Sequence, residues 1–289
     1  SGVRRDAPGG GAMTAPDTVV VKIGGARAVD PEGALADIAS VREDGTDVVV
    51  VHGGSTAVDD ALERMDIEPE YVETPSGVVG RFTDAETMDV FKMALAGQVN
   101  TDLVAGLRNQ DVDAVGLSGV DGGLFTGPRK SAVRVVEDGK KKIRRGDHSG
   151  TIESVNGGLL STLLSDGYTP VASPPMLADD GVAVNTDADR AAAAVAAELG
   201  GTLVSLTDVA GVYRDPDDPA TLIDRVDTPD AYEELRTAAE GFMGRKVMAA
   251  TEALEGGAER VVVADANADA PIRSAIDGGG THVLPGALE

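Results

Sequence analysis

A chain of 289 residues with 42% hydrophobic side chains can bury a sizeable core, as one two-lobed domain or as two small ones. The net charge of −24, from 25 basic and 49 acidic residues, excludes general nucleic-acid binding and argues against adsorption to anionic membranes. The lack of Cys excludes disulfides and thiolate metal sites, and no apolar run approaches the roughly 20 residues of a membrane span, so a cytoplasmic protein is expected.

Two readings of the acidity stay open. One is an ordinary acidic protein; the other is adaptation to very high salt, where dense carboxylates keep the surface hydrated and self-repulsion is screened. The many Asp and Ala and the scarce Lys favour the second. With 3% aromatic residues and no Trp, the core must be built from Ala, Val, Leu and Ile.

Residues 1–12, SGVRRDAPGGGA, are polar and glycine-rich and read as a leader or extension outside the fold, with Met13 a more natural start. Thr18–Ile23 and Asp47–Val51 are β-branched runs with strand character, separated by the amphipathic helix PEGALADIASVREDG. TAVDDALERMDI predicts a helix beginning at the second glycine turn. The spacing over residues 83–110 predicts one long helix, with Thr83 as N-cap and Glu86 completing a capping box. DAVGLSG follows as a strand. SAVRVVEDGKKKIRRGD predicts a charged hairpin turning at Asp138-Gly139, and VNGGLLSTLLSDGYTPVAS gives a helix and strand. DADRAAAAVAAELGG is an Ala-rich helix stopped by a glycine pair, TLVSLTDVAGVY a buried strand with a loop, and GRKVMAATEALEGGA a further helix. RVVVADA and APIRSAIDGGGT close the chain as strand and helix. The expected fold is α/β, a three-layer αβα sandwich around a mainly parallel sheet. Its lobes are residues 13–175 and 176–289, with binding loops at strand C-terminal ends.

Chemistry concentrates at the ends of the first two strands. Lys22-Ile23-Gly24-Gly25 puts a compact positive charge beside glycines whose backbone N–H groups can approach an anion. The plainer alternative is a strand-end lysine snorkelling beside an ordinary turn. No GxxxxGK[ST] occurs and no GxGxxG follows either strand, which disfavours P-loop and Rossmann enzymes.

VVVKIGG, VVVVHGGS, GRFTD, VNTDADRAA, SLTDVAGVY and GFMGRKVMAATEA occur in this order along the chain. Together they resemble the amino acid kinase family, within it the acetylglutamate-kinase-like branch, from Thr18 to Glu289. The resemblance implies catalytic roles for Lys22 and Lys246, neutralising the phosphoryl group in transit, and for Asp189, which holds the two lysines. It implies phosphate contacts from Gly24 and Gly25, and a nucleotide site lined by Thr207, Asp208, Gly211 and Tyr213. Gly53, Gly54 and Ser55 would hold the substrate (relatives often have glycine at the Ser55 position), with Arg81 on a substrate carboxylate and Asn185 on its amino-acid end. ATP is then the phosphoryl donor, and Mg2+ is inferred from ATP chemistry with no protein metal motif. A homodimer is also implied. The nucleophile would be an ionised carboxylate, so no general base is needed, which fits a chain with three His and no Ser-His-Asp constellation. Plainer readings remain for single residues: a surface arginine at a helix start for Arg81, an acid in a first helical turn for Asp189, a solvated helix face for Lys246.

Residues 129–145, RKSAVRVVEDGKKKIRR, hold eight basic and two acidic residues in an otherwise acidic chain. One reading is a hairpin edge kept from aggregating by its charges. The other is a docking surface for an acidic partner, through Arg129, Lys130, Lys140, Lys141, Lys142, Arg144 and Arg145. The segment is similar to the branch that phosphorylates aminoadipate or glutamate carried on a small acidic amino-group carrier protein. That resemblance implies a carrier-dependent kinase of lysine or arginine biosynthesis. A free-substrate N-acetylglutamate kinase and a catalytically silent nucleotide-binding regulator are the alternatives; carbamate kinase, aspartokinase and uridylate kinase share the fold and are disfavoured.

Overall fold

The computed structural model describes residues 17–24, 31–75, 77, 79–137, 139–239 and 241–289. The expected leader at 1–12, Gly25 and Asp138 lie outside the described residues.

In chain order the elements are β1 (Thr18–Ile23), α1 (Pro31–Glu43), β2 (Asp47–His52), α2 (Ser55–Arg64), β3 (Tyr71–Glu73), β4 (Val79–Arg81), α3 (Ala85–Phe91), a π-helical stretch (Lys92–Val99) and α4 (Asn100–Arg108). There follow β5 (Ala114–Gly119), β6 (Phe125–Gly127), β7 (Arg129–Glu137), β8 (Lys140–Gly150), β9 (Ser154–Val155), α5 (Gly157–Ser165), β10 (Thr169–Ala178) and β11 (Ala183–Val184). The remainder is α6 (Ala188–Leu199), β12 (Thr202–Thr207), β13 (Arg225–Val226), α7 (Pro229–Ala238), α8 (Gly241–Glu255), β14 (Arg260–Asp265), α9 (Pro271–Ile276) and β15 (Thr281–Val283).

One large sheet runs β13-β15-β14-β12-β1-β2-β10-β6-β9, with β5 and β11 also paired to β10. Its centre is parallel: β1 pairs β2 and β12, β2 pairs β10, and β12 pairs β14. Antiparallel pairs are confined to its periphery, at β14–β15, β10–β11 and β6–β9. The lobe boundary expected at 175/176 falls inside β10, and the sheet is continuous across it.

The valine runs explain the three layers. Val19, Val21, Val48 and Val50 face one core, with Ile38 of α1, Leu107 of α4 and Ile272 of α9. Val20, Val49 and Val51 face the other, with the alanines of α6 and with Val247 and Ala250 of α8. A strand buried on both faces needs apolar residues at every position, which is what these runs supply. Lys22 interrupts the pattern, and by the two-residue period it shares the face of Val20, towards α6 and α8. Among the described residues no helix is long and apolar enough to cross a membrane.

The long helix expected over 83–110 is observed as an uninterrupted helical run from Ala85 to Arg108, with the π-helical stretch between α3 and α4. Its N-cap is Asp84, whose side chain accepts from Thr87 N–H at 2.8 Å, and not Thr83. The reason is tertiary: the Thr83 carbonyl accepts from His148 N–H of β8 at 2.7 Å, which holds that residue in the preceding segment.

Candidate active site

The parallel strands β1, β2 and β12 open at one shared edge of the sheet. Ile23 is in register with His52, and Gly53 N–H donates to the Ile23 carbonyl at 3.3 Å, so the two glycine loops lie side by side. Glycine at position 54 permits a close approach: a Cβ there would lie 2.5 Å from Leu95 Cδ2 of the π-helical stretch and would displace that side chain. Ser55 opens α2, so the loop precedes a helix N-terminus whose backbone N–H groups suit an anionic group.

Asp189 joins the two lysines. Asp187 caps α6, accepting from the backbone N–H groups of Asp189 and Arg190 at 2.9 and 3.1 Å, which fixes Asp189 in the first turn. Asp189 Oδ1 lies 2.7 Å from Lys22 Nζ and 3.3 Å from Lys246 Nζ. Burial pushes the Asp189 carboxyl upward, but the two ammonium groups outweigh it and hold the group below the usual carboxylate range. The Lys246 ammonium is shifted down, first by burial and then by repulsion from Lys22, against the pull of Asp189. Lys246 also reaches Ser205 Oγ of β12 at 3.5 Å, a contact not anticipated from the sequence; Ser205 is the register partner of Lys22 across the sheet.

A separate cavity of about 630 Å³ has Arg81, Lys130, Asn185, Arg190 and Glu252 in its wall; Lys22, Asp189, Lys246 and the residues of the Gly53-Gly54-Ser55 loop do not line it. It brings two expected substrate contacts, Arg81 and Asn185, together with one residue expected to dock a partner. Arg81 is paired with Asp59 of α2, lies over the rings of Phe91 and Tyr71 at 5.5 and 5.8 Å, and has a buried Nε without a partner. The Asn185 backbone is tied to β8: its N–H donates to the His148 carbonyl at 2.7 Å and its carbonyl accepts from Gly150 N–H at 2.8 Å. Arg190, unmarked in the sequence reading, pairs with Glu252 of α8 at 2.8 Å.

Of the residues expected at the nucleotide, Gly24, Thr207 and Asp208 follow or end β1 and β12 at the same sheet edge, with Thr207 Oγ1 bonded to Asp208 Oδ1 at 3.1 Å. Gly211 has a packing role as well, since a Cβ there would meet Thr281 Oγ1 at 2.5 Å, and Tyr213 bridges to Leu222. The seven hairpin cations divide. Arg129 donates to the Asp147 carbonyl, Lys142 pairs with Glu137, and Arg144 pairs with Glu70 and Glu137 and lies over the Phe82 ring.

His52 was not singled out by the sequence, and it shapes the glycine loop. Its ring is buried; Nδ1 donates to the Gly53 carbonyl at 3.0 Å and Nε2 accepts from Asn100 Nδ2 at 3.0 Å, while Asn100 also donates to the Val171 carbonyl. Burial lowers the imidazole pKa from 6.5 to about 4. The unfolded chain therefore binds a proton near pH 6.5 that the folded protein takes up only near pH 4, so this group erodes stability as pH falls through that window. The full effect is about 3 kcal/mol. Denaturant unfolding at pH 7.5 and 4.5 checks this: wild type loses about 2–3 kcal/mol more between the two pH values than His52→Gln does. Equal losses would show that His52 does not carry the effect.

Two lysines held by one half-buried carboxylate at the mouth of a parallel sheet, beside glycine loops, form a site suited to placing positive charge on a phosphoryl group in transit. The chain belongs to the amino acid kinase family, whose sequence model matches residues 17–265. It is 43% identical over 271 residues to the LysW-aminoadipate kinase of Thermus thermophilus, covering 92% of this chain and 99% of that protein. It is 44% identical over 266 residues to the LysW-aminoadipate kinase of Deinococcus radiodurans, covering 92% and 91%. An acetylglutamate kinase of Methanopyrus kandleri is 41% identical over 267 residues, covering 91% and 99%. Among solved structures, Giardia carbamate kinase shares the fold at a TM-score of 0.64 and 16% identity, covering 94% of this chain and 99% of that one. The N-acetylglutamate synthase of Neisseria gonorrhoeae matches at a TM-score of 0.73 and 25% identity; the match covers 93% of this chain and spans 59% of that longer one.

Proposed function

We propose that this protein is an ATP-dependent kinase that phosphorylates the side-chain carboxylate of 2-aminoadipate or glutamate while that amino acid is linked to a small acidic amino-group carrier protein. The product is an acyl phosphate, the activated form that a reductase of lysine or arginine biosynthesis would consume. The observation that carries the reading is the join between basic hairpin and substrate cavity. Lys130 at the base of β7 shares the cavity wall with Arg81 and Asn185, and β8 is hydrogen-bonded to the Asn185 backbone. A carrier bound on the hairpin would thus deliver its tail to the residues expected to hold the substrate. The names of the Thermus and Deinococcus relatives support the same substrate class.

In this reading Lys22 and Lys246 neutralise charge spreading over the transferred oxygens, and Asp189 holds the two ammonium groups on the transfer line. The attacking carboxylate is already ionised at neutral pH. Arg81 and Asn185 grip the amino-acid end, and Gly54 and Ser55, at the N-terminus of α2, present backbone N–H groups to the reacting end, the Gly53 N–H being engaged by the Ile23 carbonyl. We assign Mg2+ to the ATP phosphates, since this ion keeps several waters and favours phosphate oxygens, and Asp189 is already engaged by both lysines. The enzyme works as a homodimer in the cytoplasm of a salt-adapted cell, a placement supported by its acidic composition.

The test is ATP consumption in high-KCl buffer with hydroxylamine trapping the acyl phosphate. Turnover of carrier-linked aminoadipate or glutamate, with little on free N-acetylglutamate, is expected. The Methanopyrus relative favours the second reading, a free-substrate acetylglutamate kinase, and strong turnover of free N-acetylglutamate would establish it. A silent regulator would show neither activity.

A further inference from the structure

We infer that the acidic carrier docks on a single face of the β7–β8 hairpin, the face made by Arg134, Lys141, Ile143 and Arg145, with Ile143 as its apolar anchor. This rests on the carrier-dependent reading and names where the partner sits. The register decides the sorting: Arg134 pairs opposite Ile143, Val136 opposite Lys141, and Ala132 opposite Arg145. Directly opposed residues of an antiparallel pair share a face, so these six residues lie on one side. The other side carries Val133, Val135, Glu137, Lys140, Lys142 and Arg144.

That second side is turned towards the body of the protein. Val135 is 1% exposed, Arg144 lies 5.2 Å from the centre of the Phe82 ring and pairs with Glu70, and Lys142 pairs with Glu137. Arg144 holds this side against the body of the protein, while Lys142 pairs within the hairpin. On the outward side Arg134, Lys141 and Arg145 are exposed, and Ile143 is 67% exposed at the centre of the three. A hairpin edge designed only to resist aggregation would not place a large β-branched residue there, because charge is what blunts an edge. An apolar centre rimmed by cations is instead the composition of a docking surface. Charge chooses the occupant: three unpaired-face cations in a chain of net charge −24 complement an acidic protein. High salt sharpens the argument. At about 1 M the Debye length is about 3 Å, so steering is lost and contact pairs with buried apolar area must hold the complex.

The experiment is steady-state kinetics on carrier-linked substrate, with circular dichroism confirming that each variant folds. Ile143→Ser and the double variant Arg134→Ser/Arg145→Ser each raise KM for the carrier-linked substrate about 10-fold or more, with kcat and the KM for ATP unchanged. Arg108→Ser, at the end of α4 and outside the hairpin, leaves all three values as in wild type. Wild-type kinetics in both outward-face variants, with the wild-type enzyme turning over carrier-linked substrate, overturn this inference and leave the proposed function standing. Wild type that ignores carrier-linked substrate removes both. If Ile143→Ser instead converts a dimer to monomers by sedimentation equilibrium, the face joins two copies of this chain and the inference is wrong.

Discussion

Asp189→Asn lowers turnover by about 10²–10³-fold, the scale seen when one preorganised charge-stabilising group is removed from a transition-state site. The carboxylate sits between Lys22 and Lys246, with its side chain 18% exposed. Its amide isostere keeps shape and Asp187 capping but cannot balance two ammonium groups. They repel, and the transfer line loses the alignment of both. The same substitution leaves two cations in a poorly solvated site, so folding stability drops by about 2–3 kcal/mol, less than for a fully buried pair because some solvent reaches the carboxyl. Adding Lys246→Met restores part of that stability while activity stays low, a non-additive result expected of groups in direct contact. ATP consumption and denaturant unfolding on the single and double variants check both halves. Turnover within about threefold of wild type in Asp189→Asn would remove the cluster from the mechanism. Acid does not mimic the variant. The Asp189 pKa is held below the ordinary carboxylate value, so its contribution to stability is present above that value and is lost only as pH falls through the lower, folded one.

The central strands were legible because Val19–Val21 and Val48–Val51 are buried on both faces, and burial on both faces writes an unbroken β-branched run. The Ala-rich helix was legible from its composition and its glycine stop, which falls at Gly200; its N-cap, Asp187, was not. The helix Pro229–Ala238 passed unnoticed although Thr228 accepts from Ala231 N–H and Pro229 occupies the first turn; the start signal was in the sequence and the apolar stripe behind it is thin. The two- and three-residue strands leave no periodicity to detect. Nor does the π-helical stretch, whose place against Gly54 is set by tertiary packing of Leu95. Within the site, motif resemblance named Lys22, Asp189 and Lys246 and implied that Asp189 holds the two lysines, but not that both lysines share one oxygen, Oδ1. That depends on Lys22 facing α6 rather than α1, one residue of register. The hairpin shows the limit most plainly. Its charge was visible, yet the separation of Arg134 and Arg145 from Lys142 and Arg144 needs the pairing across the turn, and a one-residue slip would exchange the two sets.

Arg81→Lys raises KM for the amino-acid substrate about 10²-fold with kcat changed by less than about threefold, because a carboxylate clamp acts equally on ground and transition states. The guanidinium is held as a plane. It lies over Phe91 and Tyr71, one nitrogen reaches Asp59, and Nε is buried without a partner. A planar donor fixed on two sides can offer its remaining N–H groups to a carboxylate in a fork, which a lysine ammonium cannot reproduce. The Asp59 side chain is 45% exposed, so releasing it from Arg81 costs about 1 kcal/mol or less, and the variant remains folded. Asp59→Asn supplies the converse: with its competing carboxylate gone, the guanidinium binds substrate more tightly and KM falls. Opposite KM shifts in the two variants, with little movement in kcat or in the KM for ATP, assign Arg81 to the substrate and not to the nucleotide. A loss in kcat as large as the change in KM would mean that Arg81 acts on the reacting phosphoryl group, and the cavity that it shares with Asn185 and Lys130 would then be the wrong place for the amino-acid end.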